Sequence, residues 1–221
     1  MLKYSFRKYT PLSLRLWHWP TVLVIFGILG TVLLRKTFLS WHTNSVLIEE
    51  KLSASGIVIT PELAKDIAIS IRNPMWDWHI YLGFALGALF LGRILIALIV
   101  EKRCPGFQAL KNILKIRNLP LQEKSEALHY TVVKIGYLVF YFLIALMVLT
   151  GLMLNFKAEI GLSKGLIGAT KEIHELLMWF LIIFIGGHIL GVVIAENRKD
   201  HGLVSDMIYG GDPDPHNNLP G

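Results

Sequence analysis

Four long runs of apolar residues constrain this chain more than any other feature. They cover about residues 12–34, 78–100, 132–154 and 173–196, and each approaches the ~20 residues that a helix needs to cross a bilayer. In lipid a spanning segment must satisfy its own backbone hydrogen bonds, so runs of this length predict helices. The sequence therefore predicts an all-α, integral membrane four-helix bundle over residues 1–210, with an outer loop at 40–74 and a flexible tail at 211–221.

The composition excludes several other classes of protein. The chain is 53% hydrophobic and only 17% charged, which is too apolar for an ordinary soluble domain or a disordered chain. Its single cysteine, Cys104, excludes an internal disulfide, a Cys-ligated iron–sulfur cluster and the C-x-x-C-H attachment of a c-type haem. The net charge of +6 comes with no nucleic-acid-binding motif, so no nucleic acid partner is expected.

The distribution of basic residues predicts the orientation of the spans. Four basic residues lie at or before the start of the first span, six lie between the second and third spans, and two follow the fourth, against eight on the opposite side. Loops rich in Lys and Arg stay in the cytoplasm. Both termini are therefore predicted to be cytoplasmic, and the first span is expected to be a retained anchor.

The outer loop contains one segment with a helical pattern. Thr60 and Pro61 provide a capping hydroxyl and a first-turn proline, and apolar residues recur at helical spacing through Ile69. The predicted amphipathic helix could lie on the membrane surface, form part of a docking face, or cover the bundle.

Ionisable residues inside a membrane are costly and so point to function. His174 and His188 lie fourteen residues apart on the fourth span. At 100° per residue this spacing comes within ~40° of four full turns, so both rings share one helix face, separated by ~21 Å along the axis. One imidazole is therefore expected near each membrane surface.

Matching depths in neighbouring spans supply a partner for each of these histidines. His79, at the outer start of the second span, matches His174, while His18, near the inner start of the first span, matches His188. Two imidazoles from facing helices suit a haem iron whose other ligands are porphyrin nitrogens, and bundles build cofactor sites in this way. The pattern favours two stacked bis-His haems over zinc, which wants more protein ligands; proton-relay histidines and simple packing are the alternatives.

Other residues near these histidines fit the same interpretation. Small residues that let a flat macrocycle approach a helix, or that serve ordinary helix packing, are Gly83, Gly87, Gly187 and Gly191. Cations at the depth of the inner haem that could pair with a propionate are Arg15, Arg93 and Lys134. Arg15 could instead snorkel to the interface. His129 could reach a propionate or a quinone headgroup, or be merely interfacial.

Several of these segments resemble one family of proteins. They are Arg15-Leu16-Trp17-His18-Trp19, Trp78-His79 with Gly83, Leu128-His129-Tyr130, Leu149-Thr150-Gly151, His174-Glu175-Leu176-Leu177-Met178-Trp179, His188, and the run Leu203–Gly210. The chain is similar to the dihaem b-type membrane cytochromes, which include bacterial cytochrome b561 and the b-type subunits of nickel–iron hydrogenase and formate dehydrogenase. The last run and the long outer loop are most similar to the hydrogenase subunit.

The resemblance implies a location, a set of ligands and an activity. It implies a multi-pass protein of the bacterial cytoplasmic (inner) membrane, and its iron ligands fall on His18, His79, His174 and His188. It implies a respiratory electron-transfer subunit, rather than a stand-alone enzyme, that passes electrons between an extracytoplasmic iron–sulfur oxidoreductase and membrane quinone. The alternatives are a free-standing superoxide:quinone oxidoreductase and a transporter or proton channel without a cofactor.

Overall fold

A computed structural model describes residues 10–100, 121–198 and 202–211, except for the side chains of residues 100, 121–127, 129, 130, 134 and 198. Over these ranges the chain is helical, without strands. The helices are α1 (Leu12–Lys36), α2 (Trp41–Ala54), α3 (Pro61–Arg72), α4 (Pro74–Leu95), α5 (Leu121–Asn155), α6 (Lys164–Arg198) and α7 (Leu203–Tyr209), and a π-helical turn, Ile96–Val100, follows α4.

Four segments are long and apolar enough to cross a membrane, as the sequence predicts. They are Leu12–Lys36, Pro61–Ile99, Thr131–Asn155 and Lys164–Asn197, and only 11% to 22% of the most apolar window in each is buried within the protein. Apolar surface left exposed on this scale requires a lipid environment. The prediction of an all-α membrane protein with four spans is confirmed.

The helix that carries the fourth span, α6, begins at Lys164, ahead of the apolar run at about 173–196. The backbone N–H of Leu166 donates to Ser163 Oγ at 3.4 Å, so Ser163 caps the first turn. Thr170 lies inside the helix and is buried.

The chain divides into two compact units, which we call the smaller unit (Pro20–Ala88) and the larger unit (Met1–Trp19 with Leu89–Gly221). In the smaller unit α2 packs on α3. Thr60 Oγ1 accepts from the backbone N–H of Leu63 at 3.3 Å and Pro61 occupies the first turn, which confirms the predicted capped helix. Ala64 and Ala68 form the buried face of α3. The sequence analysis does not predict α2.

The larger unit is organised around the pairing of α5 with α6. Leu143 and Met147 of α5 meet Leu177 of α6 in a buried apolar cluster, and Phe184 packs against it. These four side chains fix the faces of the two helices toward each other. The face of α6 that carries Phe184 also carries His188 one turn later.

A short C-terminal helix is attached to the start of α1 within the larger unit. Trp19 Nε1 donates to Met207 O at 3.0 Å and Arg15 Nη1 donates to Ile208 O at 2.9 Å. At the other end of α7, the Glu196 carboxylate accepts from the backbone N–H of Gly202 at 2.8 Å and of Val204 at 3.2 Å. An anion is favourable at a helix N-terminus, so both ends of α7 are held. Of the predicted flexible tail, residues 212–221 lie outside the described part of the chain.

Candidate cofactor site

His18 of α1 and His188 of α6 lie together in the larger unit. Their ring centroids are 6.5 Å apart and the ring planes are inclined by 57°. An imidazole nitrogen binds a first-row metal at about 2.0–2.1 Å. The spacing of the two rings leaves room for one metal, which both histidines would hold.

The surroundings of this pair suit a flat, apolar cofactor. His18 Nδ1 is buried without a hydrogen-bond partner among the described residues, and such an atom costs free energy unless a ligand changes its environment. Gly187 and Gly191 are exposed, and a Cβ built on either would meet nothing within 4 Å. Phe184 lies parallel to His188 with centroids 6.5 Å apart.

Arg93 is a buried cation of the same unit. Its side chain is only 7% exposed, and its Nε donates to Tyr141 Oη at 3.1 Å. The guanidinium carbon lies 5.9 Å from the centroid of Trp17, the neighbour of His18 in the chain. Trp17 Nε1 in turn donates to Leu89 O at 2.9 Å. Trp17 and the Tyr141 hydroxyl thus hold the Arg93 guanidinium next to α1, the helix that carries His18.

Replacement of Tyr141 by Phe should destabilise the larger unit. The buried guanidinium would lose a hydrogen bond, and bonds to charged groups are worth about 1.5–3 kcal/mol. We expect a clear fall in the unfolding temperature of the purified protein, followed by far-ultraviolet circular dichroism. Tyr81→Phe is the control, since Tyr81 is 63% exposed; equal unfolding temperatures for the two variants would contradict the role given to Tyr141.

His79 is the spanning-helix histidine of the smaller unit, on α4. Its Nδ1 lies 3.1 Å from Thr31 Oγ1, and its ring stacks on Trp76 with centroids 4.9 Å apart and an interplanar angle of 3°. The Arg35 guanidinium lies over the same Trp76 ring, with its central carbon 5.0 Å from the ring centroid. The hydroxyl occupies Nδ1, which assigns any metal bond of this ring to Nε2.

His174 has a closely similar environment in the larger unit. Its Nδ1 lies 2.8 Å from Thr150 Oγ1. The ring also lies against α5 at Gly151, where a Cβ would be 3.5 Å from His174 Cε1, an ordinary van der Waals contact. Here too a metal bond would fall to Nε2. His79 and His174 belong to different units, so their pairing stays a prediction from their depth.

The remaining predicted site residues have the following positions. Arg15 donates to Ile208 O, and its guanidinium is close enough to Gly210 that a Cβ there would lie 2.9 Å from Arg15 Nη2. Arg15 therefore has a structural role at α7 whether or not it meets a propionate. His129 and Lys134 lie on α5, but their side chains are outside the described part of the structure.

Three contacts of this site carry no obvious signal in the sequence. They are the hydroxyls of Thr31 and Thr150 and the pairing of Arg93 with Tyr141. A threonine in an apolar helix is ordinary, and only its position opposite a histidine ring makes it informative. Among the residues that the structure describes, no three His, Cys, Asp or Glu side chains come together; a metal held by two histidines would take its other ligands from a macrocycle.

Membrane-crossing helices with two facing histidines are typical of helical membrane proteins that hold a metal cofactor between their helices. A family model described as prokaryotic cytochrome b561 matches residues 9–210. The chain belongs to this family, which makes it a bacterial multi-pass membrane protein of the b-type cytochromes, whose function is electron transfer. Comparisons with curated proteins and with solved structures find no match for this chain.

Proposed function

We propose that this chain is an electron-transfer subunit with two bis-His b haems, linking an extracytoplasmic iron–sulfur oxidoreductase to membrane quinone. The observation that carries the proposal is the 6.5 Å separation of the His18 and His188 rings. Each bound b haem supplies a one-electron couple of its iron. The protein would contribute axial ligation, burial and hydrogen bonding, which set the reduction potentials.

His18 and His188 would hold the haem on the cytoplasmic side. Arg93, buried and next to Trp17, is a cation near this pair and would offset the charge of a propionate; Lys134 and Arg15 lie at similar depth in the sequence. His129 would be available at the interface for a propionate or a quinone headgroup. The cytoplasmic position of both termini rests on the distribution of basic residues.

His79 and His174 would hold the haem on the outer side. Support comes from their matching depth in the sequence and from the equivalent hydroxyl at Nδ1 of each ring. His79 and His174 would thus hold a one-electron redox group near the face where a soluble redox partner can dock, and His18 and His188 would hold a second one near the opposite face.

Reduction of the purified protein by a quinol tests this function. The chain is reconstituted in vesicles, a short-chain quinol is added anaerobically, and haem reduction is followed by absorption. We expect reduction by quinol, and loss of that reduction when a quinone-site inhibitor is added. Haem that responds to superoxide in the isolated chain would favour the free-standing oxidoreductase instead. Haem that responds to neither quinol nor superoxide would contradict a quinone-linked role.

A further inference from the structure

Two threonines make the same contact with two histidines in different parts of the chain. Thr31 Oγ1 is 3.1 Å from His79 Nδ1, and Thr150 Oγ1 is 2.8 Å from His174 Nδ1. The threonines are buried, at 8% and 7% exposure. Each lies on a spanning helix other than the one that carries its histidine. The same contact therefore occurs once in each of the two units.

The direction of these hydrogen bonds follows from where each hydroxyl proton goes. Thr31 Oγ1 donates to Ile28 O at 2.6 Å, and Thr150 Oγ1 donates to Leu146 O at 2.7 Å. A hydroxyl has one proton and two lone pairs. With the proton committed to a carbonyl of the preceding turn, the oxygen can only accept from the histidine. Both rings must therefore carry their proton on Nδ1.

We propose that Thr31 and Thr150 are positioning residues that fix His79 and His174 as Nδ1–H tautomers, each within its own unit, and leave Nε2 of each ring free to hold haem iron. The part that concerns iron rests on the proposed function; the tautomer does not. A histidine ligand that donates its other N–H to an acceptor is held in orientation and becomes more basic. A more basic ligand stabilises the oxidised iron, so these contacts would lower the potential of that haem.

The other pair of histidines differs in this respect. His18 Nδ1 is buried without a hydrogen-bond partner among the described residues, so no hydroxyl fixes its tautomer in the same way. Removal of either threonine hydroxyl should therefore act on one haem and leave the other unchanged. This selectivity separates a positioning role from a general loss of stability.

The test compares Thr31→Val and Thr150→Val with Thr31→Ser and Thr150→Ser in the full-length protein carrying its haems. Valine removes the hydroxyl with little change of volume, and serine restores it. The control is Thr131→Val, because Thr131 Oγ1 on α5 is buried without a hydrogen-bond partner among the described residues. The readouts are haem content and the two midpoint potentials in a redox titration.

We expect each valine variant to shift the same one of the two potentials upward, the serine variants to stay near the unmodified protein, and Thr131→Val to shift neither. A valine variant that loses one haem, with the haem restored by serine, also supports the proposal. Unchanged potentials at full haem content in both valine variants would overturn it, as would equal loss of haem in the valine and serine variants.

Two further outcomes separate this proposal from the proposed function. If the two valine variants shift different haems, the hydroxyl contacts are supported and the pairing of His79 with His174 is wrong. If the unmodified chain binds no haem, the proposed function fails, and ¹⁵N resonances of the labelled imidazoles decide the tautomer. A proton on Nδ1 of His174 supports the proposal in that case, and a proton on Nε2 overturns it.

Discussion

His18→Ala and His188→Ala proteins should each purify with one b haem in place of two. Each substitution would remove one of the two histidines that we propose to hold the same haem, whose rings are 6.5 Å apart. The remaining haem should keep its midpoint potential, because its proposed ligands, His79 and His174, would lie near the other membrane surface. Haem is extracted and counted per polypeptide, and the reduced α-band identifies which component is lost.

The matched control for this pair is a histidine outside the spans. His42 is exposed and stacks on Trp41 at the start of α2, so His42→Ala should keep both haems. Loss of both haems from the His18 variant with helicity retained would contradict the pairing of His18 with His188. Retention of both haems in either variant would remove that histidine from the ligand set.

The second large effect is expected at the other pair. His79→Ala and His174→Ala should each lose the haem that the His18 variant keeps, and the His18→Ala/His79→Ala double variant should lose all haem while remaining helical. Each ring is held by a threonine hydroxyl, so an alanine would also remove a ring that is already ordered in the protein. Haem counts and α-band positions of the four single variants should fall into two groups of two.

A different grouping would be equally informative. If the His79 and His174 variants lose different haems, the two histidines do not share an iron and the depth argument fails at the outer surface. Because His79 and His174 belong to different units of the structure, this grouping is the direct test of their pairing.

The spans are predictable because a long apolar run in lipid can only form a helix, whereas in water the same run could belong to other structures. About twenty apolar residues in succession have one stable conformation in a bilayer, and α1 and α5 end within two residues of their predicted ends. The start of α6 is less predictable, because Ser163, which caps its first turn, lies well before the apolar run that predicts the span. The helix at Pro61 is predictable from local capping alone.

The proximity of His18 to His188 is predictable for a similar reason. Helical periodicity predicts the helix face on which a histidine lies, and membrane topology predicts its depth. Together they predict that His18 lies close to His188. To predict which side chains contact the rings, one must also know how the neighbouring helices are rotated about their own axes. For that reason the hydroxyls of Thr31 and Thr150 and the contact of Arg93 with Tyr141 become visible only in three dimensions. The helix α7 is missed because seven residues carry too little periodicity.

The most direct test of the account is a count of haem in the purified chain. The oxidised and dithionite-reduced absorption spectra are recorded in detergent, and acid-extractable haem is quantified per polypeptide. Two non-covalent b haems per chain are predicted from the four histidines His18, His79, His174 and His188. A folded, helical protein that is colourless after expression with ample haem would contradict the assignment of these histidines as iron ligands.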